Sequence, residues 1–220
     1  MPILPISACA GPAVRQNGTL MICDGNSLTD TKTWGRVVSW VQVLANDADV
    51  IRQGVVFWVT AVSGMDTAGC LARAPTLVDP MWRKGWRNIY FLWEIANDLG
   101  HKCTTDTAYQ HIVDICTGRR AAGFEVWVAT MQPADGAAWG VNVADMEARR
   151  VEVNSRIRAN YAAFADRLID IGARIEMTTQ SNTFYRPDGV HLTNEGEAFI
   201  GSIIKRELVP SVMQFPRMEG

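Results

Sequence analysis

Short β-rich runs alternate along this chain with stretches long enough for a helix, and that alternation restricts the fold more than any other feature. Residues 19–23, 55–62, 88–93 and 124–130 read as strands, and a fifth short run falls near 173–177. Over 34–46, Trp34, Val37, Val38, Val41 and Leu44 recur near helical spacing. Residues 108–120 are helix-like, and 144–171 form a long amphipathic stretch. A last helix over 194–208 closes the pattern, with Pro210 as its expected stop. Alternation of this kind predicts an α/β fold on a central, mostly parallel sheet of about five strands, joined by right-handed crossovers. The 220 residues fit one domain, read as 18–210, with an extension at 1–17 and a tail at 211–220.

Open α/β sheets bind ligands beyond the carboxyl ends of their strands. Ser27, Gly64 and Asn97 each follow such an end, so topology collects on one rim three residues that are far apart in sequence. Asp188 and His191 lie three residues apart, just before the last helix. A hydroxyl, an imidazole and a carboxylate are the groups a serine hydrolase needs: the imidazole takes the hydroxyl proton while the carboxylate orients it. Taken singly, Ser27 reads better as a helix N-cap, and Asp188 can be read as a turn residue that starts the His191 loop. Together the two segments point to an enzyme.

Four blocks carry a closer likeness: Asp24-Gly25-Asn26-Ser27-Leu28-Thr29, then Val62-Ser63-Gly64-Met65-Asp66-Thr67-Ala68, then Trp93-Glu94-Ile95-Ala96-Asn97-Asp98-Leu99, and Asp188-Gly189-Val190-His191 running on to Gly196. In content and order the chain resembles the SGNH hydrolases, the GDSL-type esterases and lipases. The resemblance implies a three-layer α/β/α sandwich of flavodoxin-like kind. It also implies Ser27 as nucleophile, His191 as base and Asp188 as its partner. The backbone N–H groups of Ser27 and Gly64 and the Asn97 side chain would form the oxyanion hole. No metal or organic cofactor is implied.

Two positions depart from the family pattern. Asn26 stands where Gly-Asp-Ser has its Asp, and as a short polar isostere it can still hydrogen-bond nearby backbone. Ile95 stands where the third block has glycine. A β-branched residue tolerates positive φ poorly, so a different turn or a shifted correspondence is expected there.

A net charge of −2 and no basic cluster interleaved with aromatics speak against nucleic-acid or anionic-membrane partners. No apolar run reaches the ~18 residues of a membrane span. The first ten residues hold two prolines and no basic side chain, a poor signal peptide. Five cysteines without a Cys-x-x-Cys pair suggest neither a zinc site nor a disulfide framework; Cys23 and Cys116 read as buried thiols. A cytoplasmic setting fits them, with secretion or a phage assembly as alternatives.

Trp34, Trp40, Trp58 and Trp127 fall in helix or strand patterns and are expected in the core. Trp82, Trp86 and Trp139 lie in loop-rich stretches, and Trp139 follows the fourth strand closely enough to reach the rim as a substrate-binding residue. The expected substrate is a small-molecule or glycan ester of a short acyl group, acetyl foremost. Lipase, thioesterase or lysophospholipase chemistry, or a non-catalytic carbohydrate-binding domain, are the rivals.

Overall fold

The computed structural model describes residues 17–32, 38–100, 103–178, 180–181 and 183–213. Most of the expected extension and tail lies outside them, as do Cys9, Trp34, Val37 and His101. Five strands, β1 (Thr19–Gly25), β2 (Val55–Val59), β3 (Arg87–Trp93), β4 (Glu125–Ala129) and β5 (Arg167–Ile169), make one parallel sheet in the order β2-β1-β3-β4-β5. Helices α1 (Trp40–Ala45) and α2 (Ala48–Arg52) join β1 to β2, and α3 (Thr67–Leu77) joins β2 to β3. Next come α4 (Ala96–Gly100), α5 (Thr105–Ala121), α6 (Val143–Phe164), α7 (Ile175–Thr178) and α8 (Asn194–Met213). Packing of α1 and α2 on α8, and of α5 between α3 and α6, gives the two helical layers of the α/β/α sandwich.

Strands covered on both faces must be apolar along their whole length. β1 and β3 are buried at every residue and meet that demand over residues 20–23 and 89–93, while Asp24, Arg87 and Asn88 are buried with polar partners. Trp40 from α1 packs edge-to-face on Phe91 of β3 with ring centroids 5.2 Å apart. β2 lies at the edge, and its burial alternates accordingly. Trp58, expected in the core, stands on the outer face of that edge strand and is 50% exposed. Trp40 and Trp127 are buried as expected. Burial pushes the Cys23, Cys70 and Cys116 thiols up, the setting of unreactive cysteines. Among the described residues no helix is long and apolar enough to cross a membrane.

Three element expectations need correction. The stretch 144–171 is not one helix: α6 ends at Phe164, Ala165 turns extended, and β5 follows. Residues 173–177 are accordingly no strand but the end of a 3₁₀ turn and most of α7. A three-residue strand is too short for its alternation to stand out against a helix beside it. The last helix does not stop before Pro210 but runs to Met213, since proline removes one helical hydrogen bond without forbidding the residues after it. Helix α3 holds Pro75 in its interior, and its start is marked by the Asp66 carboxylate accepting the Gly69 N–H at 2.8 Å.

Candidate active site

The order 2-1-3-4-5 reverses direction between β1 and β3, and crevices form at such a switch point. The register pairs Gly25, the last residue of β1, with Trp93, the last of β3. A Cβ on Gly25 would overlap the Trp93 carbonyl, so glycine lets the two strand ends close up before the chain turns to Ser27. Asn26, not Ser27, caps that turn: its side-chain oxygen accepts the Leu28 N–H at 2.9 Å, and its carbonyl accepts the Thr29 and Asp30 N–H groups. Beneath the turn, the buried Asp24 carboxylate accepts from Arg73, from its own neighbour Gly25 N–H, and from the Tyr90 hydroxyl at 2.8 Å.

At the other end of the chain, Phe184–Thr193 forms a small hairpin. The Arg186 N–H donates to the His191 carbonyl at 2.8 Å and the Thr193 N–H to the Phe184 carbonyl at 3.0 Å. Pro187, Asp188 and Gly189 occupy its turn, closed by the Gly189 N–H on the Arg186 carbonyl, an order that turn chemistry favours. Buried Tyr185 and Leu192 pair across it and root it in the core. The Asp188 Oδ1 accepts the Val190 and His191 backbone N–H groups, both at 2.9 Å, which leaves Oδ2 2.8 Å from His191 Nδ1. Burial pushes the Asp188 carboxyl up, but the Val190 N–H and then the His191 side chain and N–H outweigh it, and the net position is below the usual carboxylate range.

Across the crevice, His191 Nε2 lies 2.8 Å from Ser27 Oγ. The structure therefore joins Ser27, His191 and Asp188 in one hydrogen-bonded chain. A cavity of about 620 Å³ opens over it, lined by Ser27, Gly64, Asn97, Trp139, Arg186 and His191 among others. Gly64, at φ +78, is the third residue of a turn closed by the Met65 N–H on the Val62 carbonyl, a position that requires glycine-like freedom. The Asp30 carboxylate accepts the Ser63 N–H at 3.1 Å and fixes that turn beside the serine. Asn97, in α4, donates from Nδ2 to the Met65 carbonyl at 2.6 Å. Asp98 stands behind it, binding the Thr67 N–H and hydroxyl at 2.9 and 2.5 Å, and so ties α4 to the start of α3. The three residues expected at the rim, the expected acid–base pair Asp188 and His191, and Trp139 all line this one cavity. Trp82 and Trp86 precede β3 and sit at the opposite end of the sheet.

Two residues outside the sequence expectations shape the site. Arg186 lines the cavity while its Nε donates to the Leu192 carbonyl at 2.9 Å; an arginine in a loop gives no sequence signal for that. Glu94 is buried, and its Oε1 accepts from Asn26 Nδ2 and from the Ile95 N–H, both at 2.8 Å. Its place right after β3 was the available clue. At the position where a β-branched residue is expected to tolerate positive φ poorly, Ile95 adopts φ 139. Such a backbone costs on the order of 1–3 kcal/mol and persists where its surroundings over-determine it. Here its side chain is buried, its N–H is held by Glu94 and its carbonyl accepts the Leu99 N–H.

Burial, then the nearby Asp98 charge, push the Glu94 carboxyl well above its usual range, against the hydrogen bonds from Ile95 and Asn26. An acid whose folded pKa is raised keeps its proton where the unfolded chain has lost it, so stability falls as pH rises above the unfolded value of ~4.3. Glu94→Gln keeps Oε1 for both donors and removes the titration. Its Tm relative to wild type is expected to climb with pH from about 4.3 upward, levelling off above the folded pKa. Melting curves across this range check it; a gap independent of pH would contradict the shift.

Comparison with known proteins bears on the family and the fold. The model of the GDSL-like lipase/acylhydrolase family matches residues 23–199. No curated protein matches the chain. Among solved structures, a lipase/acylhydrolase from Enterococcus faecalis superposes with a TM-score of 0.70 at 19% identity, covering 92% of this chain and all of its own. A member of the lipolytic G-D-S-L family from Veillonella parvula gives 0.67 at 16% identity, over 87% and 98% of the two chains. An acetyl xylan esterase gives 0.63 at 15% identity, over 86% and 99%. At such identities these likenesses establish the fold.

Proposed function

Because the chain belongs to the GDSL-like lipase/acylhydrolase family, we propose that it is a serine esterase that removes short acyl groups, acetyl foremost, from a polar alcohol such as a carbohydrate. The observation that carries this reading is the chain of two 2.8 Å hydrogen bonds from Ser27 through His191 to Asp188, three residues that line the cavity.

In the proposed reaction the Ser27 Oγ attacks the ester carbonyl carbon and its proton passes to His191 Nε2. Asp188 holds the Nδ1–H and stabilises the imidazolium. The carbonyl oxygen, now an oxyanion, lies among the Ser27 N–H, the Gly64 N–H and the Asn97 Nδ2–H. Donors preorganised for that charge are each worth about 10²–10³ in turnover. The tetrahedral intermediate collapses, the C–O bond to the alcohol breaks, and His191 protonates the departing oxygen. Water, deprotonated by His191, then cleaves the acyl-enzyme and releases the carboxylic acid.

The acyl preference rests on the shape of the rim. Strand-end turns and the acid–base hairpin frame the serine, and among the described residues no long apolar helix stands over it as a lid. Trp139 on the cavity wall offers an aromatic surface to a sugar, and the acetyl xylan esterase supplies a precedent on the same fold. Each further CH₂ gains ~0.8 kcal/mol only if it is buried, so kcat/KM is expected to be highest for p-nitrophenyl acetate and lower for butyrate and octanoate. A steady rise to octanoate would move the enzyme to the lipase side. No hydrolysis, together with no labelling of Ser27 by a fluorophosphonate, would leave a binding domain.

A further inference from the structure

Asn97 can present an N–H to an oxyanion only if its carboxamide faces the right way, and a carboxamide has two orientations of nearly the same shape. Hydrogen bonds on both sides decide between them here. On one side Nδ2 donates to the Met65 carbonyl at 2.6 Å. On the other, the indole Nε1–H of Trp139 donates to Asn97 Oδ1 at 3.2 Å. Turned over, the amide would set its NH₂ against the indole N–H and its oxygen against the Met65 carbonyl, losing both bonds to like-against-like contacts. In the observed orientation one of the two Nδ2 protons is spent on Met65 and the other remains for the cavity that Asn97 lines.

The indole is itself held in register with α4. Gly100 lies three residues after Asn97, on the same face of the helix turn, and a Cβ there would overlap the Trp139 ring. Absence of a side chain at position 100 thus lets the ring lie close against α4 with its N–H at Asn97. The segment that carries Trp139 is anchored at its other end to the acid–base hairpin, where the Asp135 N–H donates to the Gly189 carbonyl at 2.9 Å.

We propose that Trp139 is a positioning residue: its indole N–H, seated on Gly100, sets the orientation of the Asn97 carboxamide and so keeps one amide proton aimed at the reacting carbonyl oxygen. This rests on the reading of Asn97 as an oxyanion donor, and it assigns to Trp139 a task separate from stacking on substrate. The loop after β4 then contributes to turnover, not only to affinity.

Trp139→Phe tests this most cleanly, because it keeps an aromatic ring and removes the N–H. It is expected to lower kcat roughly 10- to 100-fold, short of the ~10²–10³ lost with the donor in Asn97→Ala, while KM stays within about twofold. In the Asn97→Ala background the same change should have no further effect on kcat. Gly100→Ala, which leaves the indole intact but displaces it, should lower kcat in the same way. A folded Trp139→Phe with wild-type kcat, or with only KM raised, overturns the proposal and leaves Trp139 as a wall of the substrate cavity.

A second readout does not depend on turnover. In ¹⁵N–¹H spectra of the whole chain, Asn97→Ala should move the Trp139 indole N–H resonance and speed its exchange with water. Trp139→Phe should do the same to the Asn97 amide pair. If neither responds, the proposal fails whether or not the enzyme is active. If both respond while wild type hydrolyses no ester and Ser27 resists fluorophosphonate, the esterase reading fails and the contact stands as structural alone, which also overturns the positioning role.

Discussion

Replacing Ser27 by alanine is expected to lower ester hydrolysis by about 10⁴–10⁶, to the level of background, because a nucleophile and its base act as a unit and neither retains much alone. Folding should scarcely notice. The turn that presents Ser27 is closed through Asn26, whose side chain and carbonyl take the Leu28, Thr29 and Asp30 N–H groups. The serine hydroxyl contributes its bond to His191 across the open crevice. Stability should therefore change by less than about 1 kcal/mol, as for a replacement outside the core. Steady-state hydrolysis of p-nitrophenyl acetate, melting curves and labelling by a fluorophosphonate make the comparison complete. A folded variant that still turns over at the wild-type rate would remove Ser27 from the mechanism.

Asp188→Asn should cost about 10⁴ in kcat with little change in KM, and its interest lies in what it leaves intact. Oδ1 accepts the Val190 and His191 N–H groups, and the asparagine carbonyl can do the same, so the hairpin keeps its shape. What changes is the group facing His191 Nδ1: an NH₂ donor in place of Oδ2. The imidazole must then accept at Nδ1 and carry its proton on Nε2, where it can no longer take one from Ser27. Asp188→Ala, by contrast, should loosen the loop as well as the chemistry. The depressed Asp188 pKa adds a signed expectation. A carboxyl stabilised in its charged form contributes stability above its unfolded value of ~3.9 and loses it as pH falls through the lower folded value, so the carboxylate persists throughout the range where an imidazole titrates. Equal kcat in Asp188→Asn and wild type would show that His191 is oriented by something else.

The features legible in the residues were those set by short-range chemistry. Val, Ile, Phe and Trp runs bounded by turn residues located four of the five strands, because these residues favour a pleated, partly or fully buried surface. The Asp188–His191 pair was equally legible, since a carboxylate that accepts the N–H groups two and three residues on is a local turn. β5, by contrast, was misplaced: three residues beside a 22-residue helix carry too little pattern, and what makes them a strand is pairing with β4.

Long-range packing settled the rest. The Ser27–His191 contact joins residues 164 apart, and no local rule specifies that distance; strand order and the rooting of two loops in one core do. Trp58 has the composition of a core residue and is exposed because β2 is an edge. Ile95 violates its own backbone preference because burial and the Glu94 carboxyl group hold it there, a cost that local propensity registers and tertiary contacts outweigh. Glu94 and Trp139 show the same limit at the site. An acidic residue after a strand gives no signal of its role, and a loop tryptophan signals at most a place on the rim; each becomes specific only where folding places it against Asn26 or Asn97. Propensity and turn chemistry act over a few residues, whereas a reactive geometry is the sum of contacts between segments that meet only once the sheet has formed.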